Sequence, residues 1–316
     1  MLRTAVTELL DIDVPVVGAP MAGVAGGRLA AAISAGGGLG MIGVGSATEP
    51  DVIRTESEVA RSFGQPFGIG LMAWALERRP TQFEAAAAAA PRLVSVSFGN
   101  EAPWVDRLHE RGALVAVQVA DVAAARAAAG AGVDVLVARG AEAGGHGLDA
   151  VATLPLLQGV LDAVDVPVLA AGGVATPRGL AAVLAAGAAG AWVGSAFLAC
   201  PEAANTAAAR GAVCSAAETD TVYSRVFDIA QGIPWPPQFG GRALRNAFTD
   251  RWVGREGDLA ADDAARQELV TERRRGDGTA YVYAGQAVGL VRRERPAADV
   301  VRELSDGAER LLRRWG

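Results

Sequence analysis

The amino-acid sequence predicts an α/β fold, a (β/α)8 TIM barrel with a C-terminal helical lid insertion. Within the first 200 residues, eight short apolar runs alternate with helical patterns, and four joints share one form, a helix end followed by glycine and an unbroken apolar run. Glycine after a helix adopts the left-handed conformation that ends it, and an unbroken apolar run suits a strand buried on both faces. Eight such alternations are typical of the barrel.

The candidate strands occur at regular intervals, which favours the barrel over a doubly wound sheet, since that alternative usually stops at about six strands. Three of the intervening helices have a proline placed to begin them, at Pro50, Pro80 and Pro177. Three glycines are placed to end helices, at Gly112, Gly130 and Gly187. The predicted strands are residues 14–19, 39–44, 67–72, 93–98, 114–119, 133–138, 166–171 and 190–195.

The pattern changes after residue 200, where a helical, arginine-rich stretch contains the proline-rich turn IPWPP. We therefore predict three parts: a cofactor-binding barrel over residues 1–200, an inserted helical lid on the substrate side over residues 201–285, and a return to the barrel over residues 286–316. The basic run Arg273–Arg275 has acidic neighbours, so we interpret it as a solvated helix end without a function.

The composition limits the chemistry. Lysine is absent from the 316 residues, which excludes enzymes that hold a substrate or pyridoxal phosphate on lysine and the usual phosphate-loop lysine. Two histidines and two cysteines are too few for a thiolate zinc cluster or a three-histidine site. Carboxylate sites for magnesium or calcium remain open, and we assign no residue to a metal.

Charge and hydropathy indicate a small-molecule enzyme of the cytoplasm. The net charge of −6 gives no general attraction to nucleic acid or acidic membranes. The N-terminus lacks the apolar core and cleavage site of a signal peptide. Residues 179–201 carry no charge, but three glycines interrupt them, so we predict a helix followed by a buried strand instead of a membrane span. A homo-oligomer remains open.

Two glycine turns indicate a phosphate site. Gly172 and Gly173 follow the seventh predicted strand, and Gly194 and Ser195 follow the eighth. Barrels often hold phosphate with these two loops, where main-chain N–H groups and a helix N-terminus face the ligand, and no lysine is required. Either pair alone is explained by ordinary turn chemistry, but together they favour phosphate binding.

His146 is the candidate catalytic residue. It lies in a glycine-rich loop after the sixth predicted strand, where flanking glycines leave the ring free to face a ligand. The loop alone supports a catalytic and a structural role equally. His109 lies on a polar helical face and is predicted as a surface residue, while Cys200 and Cys214 share no loop with His146 and are predicted as structural thiols.

Five motifs, taken in order, resemble those of the nitronate monooxygenases, formerly called 2-nitropropane dioxygenases. They are GAPMAG, AGGGLG, EAGGHG, PVLAAGGVATPRGLAAVLAAGAAGAWVGSAFLA and RALRN. The resemblance covers essentially the whole chain, and its most specific part is EAGGHG together with the run from Pro167 to Ala199. It implies FMN in a (β/α)8 barrel with a lid, and oxidation of alkyl nitronates, with nitroalkanes as further candidates, by O2 to carbonyl compounds and nitrite.

The resemblance also implies roles for residues. His146 matches the family's active-site histidine, which as a neutral base would take a proton from a nitroalkane or, when protonated, would hold the anionic nitronate. Pro20 and Met21 should lie against the isoalloxazine ring, and Gly144 should also contact FMN. Gln118, at the end of the fifth predicted strand, is assigned as a flavin hydrogen-bond donor from its position alone. The family's phosphate positions match Gly172, Gly173, Gly194 and Ser195.

Two residues depart from the family pattern. Gly70 and Arg139 stand at strand ends where relatives commonly have asparagine and glutamine beside the flavin. A positive Arg139 near N1 of the flavin would favour the anionic reduced form, or it would bind an acidic substrate. We therefore include Arg139 among the cofactor-binding candidates.

The main alternative function is an NAD(P)H-dependent FMN reductase acting on quinones or enoyl thioesters, because related barrels with similar loops carry out those reactions. A flavin-binding protein without turnover is disfavoured by the intact His146 loop. A dehydrogenase of the inosine monophosphate type is disfavoured because it needs a cysteine near the loop after the sixth strand, where this sequence has a histidine.

Overall fold

A computed structural model describes residues 2–275 and 281–314, and the side chains of the basic run Arg273–Arg275 lie outside the described part. All eight predicted barrel strands are present, most of them shorter than predicted by one to three residues. The strands are β1 Val16–Gly18, β2 Gly40–Gly43, β3 Phe67–Met72, β4 Leu93–Ser97, β5 Leu114–Val119, β6 Val135–Arg139, β7 Gly145–Gly147, β8 Val168–Ala171, β9 Gly190–Val193, β10 Thr221–Ser224 and β11 Gly240–Leu244.

Eight parallel strands form the barrel, in the order β1-β9-β8-β6-β5-β4-β3-β2. A parallel bridge between Val17 and Leu39 brings β2 back beside β1 and nearly closes the sheet. The interior is filled by buried apolar side chains from the strands, and Val6 and Leu10 of the first helix pack against them. A second apolar layer lies between the strands and the surrounding helices. The predicted (β/α)8 barrel is confirmed.

The helices begin and end largely where prolines and glycines predict. Pro50, Pro80 and Pro177 are the first residues of their helices. Gly112 and Gly187 have positive φ angles, whereas Gly130 is the last residue of its helix and Gly132 has the positive φ instead. The helices are α1 Ala5–Leu10, α2 Gly27–Ala35, α3 Pro50–Arg61, α4 Ala73–Leu76, α5 Pro80–Ala88, α6 Ala102–His109, α7 Val122–Gly130, α8 Thr153–Leu161, α9 Pro177–Ala185, α10 Ala207–Ser215, α11 Val226–Gln231, α12 Ala247–Trp252, α13 Glu256–Ala261, α14 Asp263–Arg275 and α15 Ala297–Leu312.

The segment predicted as a helical lid, residues 201–285, contains helices α10 to α14 and also two strands that the sequence did not predict. β10 pairs with β11, and β11 pairs antiparallel with β7, which lies in the loop after the sixth barrel strand. The segment therefore combines the predicted helices with a strand pair that the sequence did not predict. The glycine-rich sequence of β7 has no strand pattern, and its extended conformation depends on pairing with β11.

No helix in the described ranges has the length and apolar character needed to cross a bilayer. The uncharged residues 179–201 divide between α9, β9 and a short 3₁₀ helix, Ser195–Phe197. This confirms the predicted helix followed by a buried strand.

The last helix, α15, packs against α9 and α2 and covers the outside of the barrel between the first and last strands. A second 3₁₀ helix, Gln286–Leu290, precedes it in the chain. Gly307 of α15 contacts Pro177, the first residue of α9: a Cβ atom at position 307 would lie 2.5 Å from Pro177 Cβ. The absence of a side chain at Gly307 therefore permits the close packing of these two helices.

We predict that Gly307→Ala destabilises the protein although alanine favours helix. The gain in helix propensity of about 1 kcal/mol is outweighed by overpacking of about 1–3 kcal/mol, because a proline ring cannot rotate away. The matched control is Gly211→Ala in α10, where a Cβ meets nothing within 4 Å, and this variant should gain about 0.5–1 kcal/mol. Urea denaturation measures the free energy of unfolding of both variants. Equal changes in this free energy would contradict this explanation of α15 packing.

Candidate active site

The carboxyl ends of the barrel strands and the lid segment surround a cavity of about 660 Å³. This volume lies within the range of about 300–1,000 Å³ that is usual for ligand pockets. Every residue that the sequence analysis singled out for the site lines this cavity. These residues are Pro20, Met21, Gln118, Arg139, Gly144, His146, Gly172, Gly173, Gly194 and Ser195.

The two glycine turns lie side by side because β8 and β9 are paired strands. Ala171 is in register with Trp192, so the turns after these residues leave the sheet together at the same edge. The main-chain N–H groups of Gly173, Ser195 and Ala196 form no hydrogen bond with other residues in the described part of the chain. Unpaired N–H groups at a cavity wall attract an anion.

The Ser195 side chain connects this turn to the end of the lid segment. Its hydroxyl accepts a hydrogen bond of 2.9 Å from the N–H of Gly285. On the opposite side of the turns, the carboxylate of Glu142 accepts hydrogen bonds from the N–H of Thr153, at the start of α8. The hydroxyl and the carboxylate thus have protein partners, while the N–H groups of Gly173 and Ser195, two residues that line the cavity, have none among the described residues.

Pro20 and Gly70 lie in close contact at the cavity wall. A Cβ atom at position 70 would overlap the Pro20 ring. Gly70 therefore allows the loop after β1 to approach the end of β3, and asparagine at this position would require Pro20 to move. Pro20 and Met21 remain at the cavity surface as the sequence predicts.

Arg139 holds the loop that carries His146. Its side chain is 4% exposed, and the guanidinium donates hydrogen bonds of 2.9 to 3.3 Å to four main-chain carbonyls of that loop. The accepting residues are Ala143, Gly144, Gly145 and Leu148.

The buried guanidinium of Arg139 remains charged near neutral pH. Burial lowers the pKa of Arg139 from 12.5 to about 10, a change opposed in part by the nearby Tyr223. Because both terminal nitrogens of the guanidinium already donate to the loop, the structure gives Arg139 a positioning role that the sequence analysis did not anticipate. Arg139, Gln118 and Phe98 also line a neighbouring cavity of about 360 Å³.

His146 contacts three side chains that the sequence analysis did not connect with it. Its Nε2 lies 2.9 and 3.0 Å from the two carboxylate oxygens of Asp228. The indole of Trp235 stacks on the imidazole, with centroids 3.8 Å apart and an angle of 6° between the planes. The ring of Tyr283 lies 5.0 Å away, and its hydroxyl donates to Asp228 Oδ1 at 3.3 Å.

Of these three partners only Trp235 had a signal in the sequence, because it occupies the proline-rich turn of the lid segment. Asp228 lies 82 residues after His146, within an ordinary amphipathic helical pattern. No feature of the neighbouring sequence distinguishes Asp228 from the other acidic residues.

The remaining histidine and the thiols lie outside this constellation. His109 contacts Asp134 at 2.8 Å on the protein surface, as predicted for a surface residue. Burial raises the pKa of the Cys200 thiol to about 12, which keeps it protonated and unreactive near neutral pH. In the described part of the chain, no three carboxylate, imidazole or thiol side chains converge as a metal site.

A parallel eight-stranded barrel with a histidine and unpaired main-chain N–H groups at the carboxyl ends of its strands is typical of (β/α)8-barrel enzymes. The family model described as nitronate monooxygenase matches residues 3–92 and 80–307. The chain belongs to the nitronate monooxygenase family.

Relatives within this family differ in their named reactions. The chain is 33% identical to nitronate monooxygenase npaC of Metarhizium robertsii, over 99% of this chain and 97% of that protein. It is 35% identical to the (3aS,4S,5R,7aS)-5-hydroxy-7a-methyl-1-oxo-octahydro-1H-indene-4-carboxyl-CoA dehydrogenase of Rhodococcus jostii, over 72% of this chain. That match spans 64% of the dehydrogenase, slightly less than two thirds of its length.

Two solved structures are similar to the chain along its whole length. FabK from Thermotoga maritima is 30% identical, with a TM-score of 0.88 over 100% of this chain and 99% of that one. Nitroalkane oxidase from Streptomyces ansochromogenes is 29% identical, with a TM-score of 0.80 over 99% of this chain and 100% of that one. The overall fold is therefore shared along the full length with both solved structures.

The position of Arg139 predicts that Arg139→Lys destabilises the protein by roughly 2–4 kcal/mol, because one ammonium group cannot serve all four loop carbonyls and the unserved carbonyls stay buried. The matched control is Arg111→Lys, since the Arg111 side chain is half-exposed and paired with Glu84 on the surface, and its change should be within about 0.5 kcal/mol. Chemical denaturation compares the two. Similar losses in the free energy of unfolding for the two variants would mean that Arg139 does not support the loop.

Proposed function

We propose that the protein binds FMN and oxidises alkyl nitronates with O2 to carbonyl compounds and nitrite. The observation that carries this proposal is the arrangement of one cavity, which joins a buried histidine to a cluster of unpaired main-chain N–H groups. The size of the cavity and the absence of lysine in the chain fit a ligand that is held through its phosphate by main-chain donors.

The residues present fit FMN. The N–H groups of Gly173, Ser195 and Ala196 have no other partner among the described residues and would hold the phosphate. Pro20 and Met21, in the loop after β1, would form an apolar surface against the ring system, with Gly144 and Gln118 elsewhere on the cavity wall. When bound, FMN supplies the two-electron chemistry that links oxidation of the substrate to reduction of O2.

His146 would act on the substrate's proton and charge. A neutral imidazole accepts a proton from the carbon beside a nitro group, and the resulting imidazolium stabilises the nitronate anion that remains. The burial of this side chain, which is 11% exposed, strengthens that electrostatic attraction because water does not screen it. The same residue therefore serves both nitroalkane and nitronate substrates.

Gly173→Ala is expected to weaken FMN binding at least about tenfold. Gly173 has a φ of +74°, where an alanine costs about 1–2 kcal/mol, and relief of that strain would turn the N–H away from the phosphate. The control is Gly64→Ala, because Gly64 has a similar φ of +70° at an open position away from the cavity. Titration by flavin fluorescence measures the affinity. Equal FMN affinity in the two variants would remove the Gly173 turn from the phosphate site.

A second candidate is an NAD(P)H-dependent FMN reductase of enoyl thioesters or quinones. The observation that favours it is the similarity to a relative whose name gives a carboxyl-CoA thioester as its substrate. The two candidates differ in what reduces the flavin, a nitronate in the first and a nicotinamide in the second. They share the cavity, the phosphate site and His146.

Anaerobic mixing separates them. We expect ethyl nitronate to bleach the bound flavin within the time of a turnover and NADH or NADPH to leave it oxidised. His146→Asn should retain FMN while its rate of reduction by nitroethane falls by about 10²–10⁴-fold, the usual contribution of a general base. Bleaching by a nicotinamide alone would favour the reductase, and an unchanged rate in His146→Asn would remove the histidine from the reaction.

A further inference from the structure

We propose that Asp228 is a positioning residue that fixes the tautomer of His146, so that Nε2 carries the hydrogen and Nδ1 exchanges the proton with the substrate. The role of Nδ1 rests on the proposed function, whereas the tautomer itself follows from the contacts in the structure. The two parts are tested separately below.

The contact between the carboxylate and the ring defines the hydrogen position. Both oxygens of Asp228 lie within 3.0 Å of Nε2, and an ionised carboxylate only accepts hydrogen bonds. A neutral imidazole has one N–H, so this contact is satisfied only when that hydrogen is on Nε2. Nδ1 then has the free lone pair, and it has no hydrogen-bond partner among the described residues.

The surroundings of Asp228 hold the carboxylate in place. Its side chain is 2% exposed, and Tyr283 donates to the same Oδ1 that lies nearest to Nε2. Loss of the Nε2–H bond would leave a buried carboxylate oxygen with fewer donors, which is unfavourable for a charged group. The tautomer with hydrogen on Nδ1 is therefore disfavoured.

The aromatic neighbours fix the plane of the ring. Trp235 is stacked on one face of the imidazole at 3.8 Å, and Tyr283 lies beside it at an angle of 49°. A half-turn of the ring, which would exchange the two nitrogen edges, has to break both this stack and the contact with Asp228. Orientation and tautomer are thus set together.

With Nδ1 as the base, each bond broken in the proton transfer is matched by a bond formed. The C–H bond next to the nitro group breaks, its hydrogen bonds to Nδ1, and the electron pair is delocalised onto the nitro group as a nitronate. The imidazolium formed lies between the nitronate and the Asp228 carboxylate and is stabilised by both.

Asp228 belongs to α11 in the lid segment, whereas His146 belongs to β7 in the barrel loop. The two are brought together by the pairing of β7 with β11. A catalytic tautomer therefore depends on the lid segment being in place over the barrel, and the barrel loop alone does not determine it.

The test uses the full-length protein labelled with ¹⁵N-histidine. Only two imidazoles are present, His109 and His146, and the His146→Asn spectrum assigns them. At a pH where both rings are neutral, we expect the wild-type His146 signals to show hydrogen on Nε2 and a bare Nδ1. A wild-type signal with hydrogen on Nδ1 would overturn the proposal, and this measurement does not require any variant to fold or any substrate to react.

Asp228→Asn is the matched perturbation, because an amide can donate to Nε2 as well as accept from it. We expect the Nε2–H signal of His146 to be replaced, wholly or in part, by an Nδ1–H signal. The control Asp134→Asn should alter only His109, which contacts Asp134. An unchanged His146 tautomer in Asp228→Asn would contradict the role of the carboxylate.

The kinetic arm tests the link to the proposed function. Asp228→Asn should slow anaerobic flavin reduction by nitroethane about 10²–10⁴-fold, and it should slow reduction by preformed ethyl nitronate less, since that substrate has already lost its proton. Equal losses with both substrates would contradict the role of Nδ1 as the base. If neither substrate reduces the flavin in wild type, the proposed function fails while the tautomer result still stands.

Discussion

The site depends on the parallel pairing of β8 with β9. That pairing places the turn at Gly173 next to the turn at Ser195, and both expose main-chain N–H groups that no other residue in the described structure uses. In the proposed function, main-chain donors at these turns bind the phosphate in place of a charged side chain, since the chain contains no lysine. The turn after β8 needs a residue that adopts the left-handed conformation at position 173, and the sequence has glycine there.

The second half of the site is assembled between the barrel and the lid segment. Arg139 binds the carbonyls of the His146 loop from inside, and β11 pairs with the same loop from outside. Both interactions act on the main chain, so the loop can be rich in glycine and still have a defined conformation. Asp228 and Trp235 then reach His146 from the lid, and the histidine is positioned by residues from both parts of the chain.

The sequence predicted the barrel because eight short apolar runs alternate with helical patterns, several of which begin at proline and end at glycine, and these signals are local. It also predicted the cavity residues, since strand ends of a parallel barrel converge at one edge. It did not predict β7, β10 and β11, because pairing with a distant strand creates them. The partnership of Asp228 with His146 and the use of Arg139 within its loop are likewise tertiary contacts without a local pattern.

The most direct test of the central claim compares the affinities of FMN and riboflavin for the full-length protein after removal of any bound flavin. The two ligands differ only in the phosphate. Each hydrogen bond to a charged group contributes about 1.5–3 kcal/mol, so three main-chain donors predict that FMN binds at least about 100-fold more tightly. Equal affinity for the two flavins, or failure to bind either, would contradict the account.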